Sequence, residues 1–321
     1  MVFDMTKENI VTVCFNPAVD KTIVLKQLIL GAHQTSEQVF RTQGGKGVNV
    51  SRTLNAMGLA NTTTGFLGSE NRYEFDDFLR HPMIDDRFVM LEGRTRENTT
   101  IVDVTARVDT HIRDKGLTVN LEGLAELEQI FNEVPPDSLI VFSGSLAPGI
   151  ELEVFGSMLK KCSSYGLKVV VDISGDALKI ASSEKLFLIK PNIEELSQYA
   201  GRSLTTQSEL IDVAKQDCSK VENVLISMGS QGAILVGQSK IIKVCCPSCN
   251  KKTINTVGCG DVLLGSFVGM LSQAENFEKC LKRAVANASA CAFHPVPAMF
   301  DKKLAGEFYK NTDVEIIENL I

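Results

Sequence analysis

Short apolar runs alternate along the chain with longer stretches whose apolar residues recur at helical spacing, a rhythm that predicts an α/β sandwich with a mainly parallel sheet. Strands are expected at 11–15, 62–66, 139–142, 168–172, 186–189 and 224–227. The runs Leu139-Ile140-Val141-Phe142 and Val169-Val170-Val171 are continuous rather than alternating, as in strands covered on both faces. Helices are expected at 47–57, 121–131, 152–162, 194–199, 208–218, 261–271 and 277–291. The segments 20–43 and 97–113 break the rhythm: they hold β-like pieces at 21–25 and 100–104 with no long helix between them. They read either as a small added sheet that could act as a lid or as an edge extension of the main sheet. No Pro/Ser-rich linker, internal repeat or low-complexity tract divides the chain, so residues 1–321 are expected to form a single domain. The stiff turn His294-Pro295-Val296-Pro297 and the closing helix at 301–309 read as structural.

Composition narrows the function classes. Lys and Arg number 33 against 39 Asp and Glu, a net charge of −6, which argues against a general nucleic-acid or anionic-membrane binder. It leaves room for a small anionic substrate served by a few local cations. No apolar run approaches the roughly 20 residues that span a bilayer, and the best candidate, 262–271, is interrupted by Gly265, Ser266 and Gly269. The opening MVFDMTKEN lacks a basic start and an apolar core, so no secretion signal is expected. Nine cysteines, an odd count, fit reduced thiols in a cytoplasm.

Five segments could carry chemistry. In Gly44-Gly45-Lys46-Gly47-Val48-Asn49-Val50, glycines permit close backbone approach, and the helix that follows offers free N–H groups to an anionic or polyhydroxy ligand. It is not a Walker loop, because Gly47 follows Lys46. Thr256-Val257-Gly258-Cys259-Gly260-Asp261 again puts glycines at a helix start, with a carboxylate in the first turn; Leu263 stands where a dinucleotide fingerprint needs glycine. Lys190-Pro191-Asn192-Ile193-Glu194-Glu195 has the spacing of a capping box. Ser227-Met228-Gly229-Ser230-Gln231-Gly232 is a turn able to approach a nucleotide, and Ser143-Gly144-Ser145 a polar loop at a strand's C-terminal end, where open α/β sheets bind ligands. Each also has a plain structural reading as a tight turn, a cap or a first-turn acid. The four histidines show no metal spacing, and the single pair Cys246-Pro247-Ser248-Cys249 reads as reduced thiols in a loop.

In their order and spacing these segments resemble the PfkB carbohydrate kinases of the ribokinase-like superfamily. Gly44 to Val50 and Thr256 to Asp261 are the most specific pieces. Asn16-Pro17-Ala18, Asp20, Thr95-Arg96, Asn98 and Ser143-Gly144-Ser145 are similar to the branch that phosphorylates sugar phosphates, which includes 1-phosphofructokinase and tagatose-6-phosphate kinase. The resemblance implies a three-layer α/β/α domain with lid segments at about 17–43 and 95–113, a homodimer through the lid, and ATP with Mg²⁺. It implies transfer of the γ-phosphoryl group to a hydroxyl of a ketohexose phosphate, tagatose 6-phosphate or fructose 1-phosphate.

Residue by residue, the resemblance makes Asp261 the catalytic base and Gly258, Cys259 and Gly260 the amides that steady the transferring group. Asp20, Gly44, Gly45, Asn49 and Asn98 would line the sugar pocket, with Lys46 and Arg96 as phosphate-side cations and Ser143 or Ser145 as hydroxyl donors. Lys190, Asn192, Glu195, Ser227, Gly229, Gly232 and Asn287 match nucleotide-side positions, and Glu195 would organise Mg²⁺ through water. Gly31 is followed by Ala32-His33-Gln34-Thr35, without the arginine frequent there, and His33, Arg94 or Arg113 could substitute. Cys259 replaces the usual alanine; it reads either as a small residue filling space or, since a helix N-terminus can lower a thiol's pKa and ease its oxidation, as a thiol whose oxidation would inactivate the enzyme. The alternatives are a kinase for an unphosphorylated sugar or nucleoside, or an inactive kinase-like sugar sensor.

Overall fold

The computed structural model describes residues 9–247, 249 and 252–320. The start of the chain, where the lack of a secretion signal was read, and Ser248 of the Cys-Pro-Ser-Cys pair lie outside the described residues. In chain order the strands are β1 (Ile10–Cys14), β2 (Ala18–Leu25), β3 (Gln38–Gly44), β4 (Asn61–Gly68), β5 (Ile84–Leu91), β6 (Glu97–Asp103), β7 (Val108–Ile112), β8 (Leu139–Ser143), β9 (Lys168–Asp172), β10 (Leu188–Ile189), β11 (Asn223–Ser227), β12 (Ala233–Gly237), β13 (Lys240–Val244) and β14 (Val314–Asn319). The helices are α1 (Lys46–Ala56), α2 (Asp76–Leu79), α3 (Leu121–Asn132), α4 (Leu152–Ser164), α5 (Asp176–Ser182), α6 (Ile193–Ala200), α7 (Gln207–Gln216), α8 (Cys259–Leu271), α9 (Phe277–Cys291) and α10 (Lys302–Lys310).

Ten strands form one sheet in the order β14-β13-β12-β11-β10-β9-β8-β1-β4-β5. Neighbours from β5 to β11 are parallel, and β12, β13 and β14 extend the far edge antiparallel. Side-chain alternation divides each central strand between two cores. Val11, Val13, Ile140, Phe142, Val169 and Val171 face one, which also holds Leu127, Phe155, Leu196 and Leu210 from α3, α4, α6 and α7. Ile10, Leu139, Val141 and Val170 face the other, with Val50, Leu54, Leu264, Phe267 and Leu281 from α1, α8 and α9. The result is the expected α/β/α sandwich, and it explains the unbroken apolar runs: both faces are buried.

The chain starts in the middle of the sheet, builds β4 and β5 on one side, and crosses back to build β8 to β11 on the other. Such a reversal leaves a crevice at the C-terminal ends of the strands. Beneath it Phe15, Phe142 and Phe155 pack with ring centroids 5.6 and 6.0 Å apart from Phe15, which stiffens the ends of β1 and β8.

The segments that broke the rhythm form a separate four-stranded sheet, β3-β2-β6-β7. In its register Asp20 lies opposite Thr42 on one side and Asn98 on the other, so these three share a face. The rows on the opposite face include Val39, Ile23 and Ile101. Val39, Phe40, Val108 and Ile112 are exposed.

Candidate active site

α8 can start where it does because Gly258 takes a left-handed φ of +81°, and a Cβ there would meet the Ala298 amide nitrogen at 2.6 Å. The Cys259 amide donates to the Thr256 carbonyl at 3.3 Å, so among the described residues the amides left open at this helix end are those of Gly258 and Gly260. Asp261 sits in the first turn, only 6% exposed, and its Oδ2 accepts from Asn49 Nδ2 on α1 at 2.7 Å. Burial, followed by the nearby Asp172 carboxylate, pushes its pKa up to about 6 against the opposing pull of Lys46, Asn49 and Lys190. At neutral pH it is an ionised carboxylate with appetite for a proton.

Asp172, at the end of β9, is the residue that the motifs missed. It is 1% exposed, and its Oδ1 lies 3.3 Å from Lys46 Nζ and 3.2 Å from Lys190 Nζ. Ser143 donates its hydroxyl to the Oδ2 at 3.2 Å. Burial alone would raise the Asp172 pKa, but Lys190 and Lys46 outweigh it and hold the carboxyl below its usual range. Burial likewise opposes the charge on Lys46, yet Asp172, Asp261 and Glu195 together raise its pKa. One carboxylate therefore anchors two lysines, both of which bear on Asp261. A Cβ on Gly260 would lie 3.6 Å from Lys190 Nζ, which places that cation against the start of α8. The signal was available in sequence: a lone acid closes the apolar run of β9 at the edge where ligands bind.

On the small sheet, Asn98 Nδ2 donates to Asp20 Oδ1 at 3.0 Å, while the buried Asn98 Oδ1 has no partner among the described residues. A buried carbonyl oxygen left this way suits a ligand hydroxyl. Gly44 is required alongside, since a Cβ there would stand 1.9 Å from Asp20 Oδ2. Burial raises the Asp20 pKa, opposed by Asn98, Arg96, Arg113 and Arg52. Three arginines thus bear on this pocket.

Arg96 is more committed than expected: it donates to the carbonyls of Asn16 at 2.7 Å, Asp114 at 3.0 Å and Pro17 at 3.3 Å, bracing the loop after β1. Ser145 is exposed and within 3.4 Å of Asn16 Nδ2. Gly45 lies against Cys14, where a Cβ would come 2.7 Å from the sulfur. Burial pushes the Cys14 thiol up to about 11, against the opposing pull of the Val48 and Gly47 amides at the start of α1.

Asn192 and Glu195 form a full capping box: Asn192 Oδ1 accepts from the Glu195 amide at 2.8 Å, and Glu195 Oε2 from the Asn192 amide at 2.9 Å. Ser227 pairs with Asn192 through an isolated parallel bridge, which sets these strand ends side by side. Gly229 is exposed, and Gly232 is buried at φ +94° against the Val244 carbonyl. Asn287 is only 2% exposed and donates to Ser266 between α9 and α8, so its amide N–H is turned into the helix packing rather than the crevice. The expected low pKa of Cys259 is overturned. A hydrogen bond with the Cys291 thiol, then burial, raises it, and the shared proton lowers that of Cys291.

No group of three or more His, Cys, Asp or Glu side chains could hold a metal among the described residues. This donor set fits Mg²⁺ only as a phosphate-bound, hydrated ion, for which the free oxygen of Glu195 is available.

Comparison with known proteins bears on this crevice as a whole. Residues 15–298 match the family described as pfkB family carbohydrate kinase. The chain is 33% identical to a 1-phosphofructokinase of Vibrio cholerae over 88% of each chain. It is 29% identical to a tagatose-6-phosphate kinase of Staphylococcus epidermidis over 96% of this chain and 99% of that one. Its fold superposes on phosphofructokinase-2 from Escherichia coli, a complex with potassium, with a TM-score of 0.88 at 25% identity, covering 94% and 98% of the two chains.

Proposed function

The chain belongs to the pfkB family of carbohydrate kinases, and from that premise we propose how its crevice moves a phosphoryl group. It is an ATP-dependent kinase of a ketohexose phosphate. Asp261 accepts the proton of the attacking sugar hydroxyl as that oxygen bonds to the γ-phosphorus of ATP. The bond to the β-phosphate oxygen breaks, leaving ADP. Phosphoryl transfer depends chiefly on alignment and charge. Lys46 and Lys190, anchored by Asp172, offset the charge on the transferring oxygens, with the open Gly258 and Gly260 amides around them, whereas the Cys259 amide is already taken by the Thr256 carbonyl. The observation that carries this reading is the buried Asp261, held by Asn49 beside two lysines on one shared carboxylate.

Asp20, Asn98 and Asn49 hold sugar hydroxyls, and Gly44 and Gly45 line that pocket. Arg52, Arg96 and Arg113 supply the positive surroundings that favour a substrate already phosphorylated at one end, fructose 1-phosphate or tagatose 6-phosphate. Ser143 supports Asp172, and Ser145 lies at the pocket rim. The nucleotide lies along Asn192, Ser227, Gly229 and Gly232. Glu195 would hold a water of Mg²⁺, which when bound neutralises the phosphate oxygens. The small sheet serves as a lid, within a single domain over residues 1–321, and meets a second copy to form a dimer. All nine cysteines are free thiols, which supports action in a reducing cytoplasm.

The test is a panel of ketohexose phosphates, ketohexoses and nucleosides with ATP and Mg²⁺, followed by ADP release. Turnover restricted to ketohexose phosphates is expected. Turnover only with neutral sugars or nucleosides would reassign the substrate, and none with any of them would leave a sugar sensor.

A further inference from the structure

Asn49 stands between two charged groups. Its Nδ2 donates to Asp261 Oδ2 at 2.7 Å, and its Oδ1 accepts from Arg52 Nη1 at 3.1 Å. Asn49 and Arg52 are three residues apart on α1, the spacing that brings side chains together on one helix face. The helix also fixes the Asn49 backbone: its amide donates to the Gly45 carbonyl at 2.9 Å, and its carbonyl accepts from the Thr53 hydroxyl at 2.9 Å. That leaves the direction of the carboxamide to be set by its neighbours.

Arg52 is itself anchored. Its Nη2 donates to the Gln43 carbonyl near the end of β3 at 2.9 Å, and its guanidinium lies 5.7 Å from the ring centre of the buried Phe78. Gln43 is fastened in turn, with Nε2 donating to the Glu74 carbonyl at 2.8 Å. A guanidinium only donates, an ionised carboxylate only accepts, and a carboxamide offers one group of each kind. Turning the Asn49 amide over would set N–H against N–H at Arg52 and oxygen against oxygen at Asp261.

From this chain of contacts we propose that Arg52 is a positioning residue, which holds the Asn49 oxygen so that the Asn49 NH2 faces the base Asp261. The consequence is chemical. A protonated Asp261 needs an acceptor for its hydroxyl hydrogen, and a turned Asn49 amide would supply one. With that oxygen kept by Arg52, Asn49 favours only the ionised carboxylate, the form able to take a proton. The other groups that bear on Asp261 are Asp172 from β9, Lys46 from α1, Lys190 after β10, and the thiols Cys259 and Cys291 from α8 and α9. Arg52 adds its own charge partner, Asp20 on β2. The effect on turnover rests on the base role proposed above; the direction of the amide does not.

The Asp261 carboxyl carbon is followed by NMR against pH, its signal identified by its absence from Asp261→Asn. Wild type, Arg52→Met, Asn49→Ala and the double variant are compared, each first shown to be folded by its urea unfolding transition. Arg52→Met should raise the Asp261 midpoint by about one unit, the order of a lost hydrogen bond to a charged group, and the acid limb of kcat should rise with it. In the Asn49→Ala background the same change should move the midpoint by less than about 0.3 unit, because the two residues act as one path. An equal shift with and without Asn49 would mean that Arg52 acts by its charge alone, and an unmoved midpoint in Arg52→Met that it does not act on the base; either overturns the proposal. Should Arg52→Met not fold, neutron diffraction from wild-type crystals decides: Asn49 deuterons facing Asp261 and its oxygen facing Arg52 support the proposal, and the turned amide overturns it. If the midpoint moves as expected but no sugar is turned over, the kinase reading fails and the positioning stands.

Discussion

Asp261 serves two opposed demands, because the burial that makes its carboxylate a useful base also makes the ionised form costly to fold. Its pKa rises from 3.8 to about 6, so its stabilising contribution is complete below the unfolded value and is lost as pH rises through 6. Asp261→Asn should therefore lose about 10²–10⁴-fold in kcat, the usual worth of general-base help. The same variant should gain up to about 3 kcal/mol of stability at pH 8, read by urea unfolding, since one pKa unit is worth about 1.4 kcal/mol. Unchanged turnover would remove Asp261 from the chemistry.

Wild-type kcat should in turn climb with pH through an acid limb near 6, as the carboxyl ionises. Asp172 is the next contributor to that raised value after burial, so Asp172→Asn should move the limb to lower pH while weakening turnover through two loosened lysines. A limb that stays in place would show that Asp172 acts only structurally. Asp261 was legible in sequence because its motif is contiguous. Asp172 offered only its place at the end of an apolar run; its role was hidden because its partners Lys46 and Lys190 come from distant segments and only the folded sheet edge unites them.

Elements with unbroken apolar runs or helical periodicity were readable close to their ends: β8, β9, α3, α8 and α9 lie where the pattern put them. Elements whose polar residues are satisfied by tertiary partners were not. β5 opens with Ile84-Asp85-Asp86-Arg87, and its Asp86 accepts from Arg72 at 2.6 Å while Arg87 bonds Glu133 at 2.6 Å, a polarity that hides a strand. β14, at the sheet edge, is largely exposed and alternates weakly. In the sequence, α5 is too short to show a period. α8 was clear because it is apolar nearly all round, wedged between α1, α9 and the sheet. Leu264→Ala on that helix should destabilise the protein by about 2–5 kcal/mol in chemical unfolding, as fully buried leucines do. A loss below 1 kcal/mol would mean that the site rests on a softer helix than its burial implies.

For the molecule as a whole, the two sheets divide the labour. The large one fixes Asp172, Ser143 and Lys190, and the small one presents Asp20 and Asn98. The small sheet has a further apolar row, Val39 beside Ile23 and Ile101, on the face away from Asp20. Covering such a row is the physical reason to expect a dimer. Wild type should sediment as a dimer at micromolar concentration, and Val39→Asp should shift it toward monomer. A monomeric wild type would discard the dimer.

The placement of β1 also bears on how the polypeptide leaves the ribosome. This first strand is sandwiched in the finished sheet, yet its partner β8 emerges roughly 130 residues later, on the order of ten seconds or more of translation. Until then one hydrogen-bonding edge of an almost wholly apolar ribbon lacks its final neighbour. Nascent chains halted between β4 and β8 should accordingly be the species most readily held by chaperones or lost to aggregation.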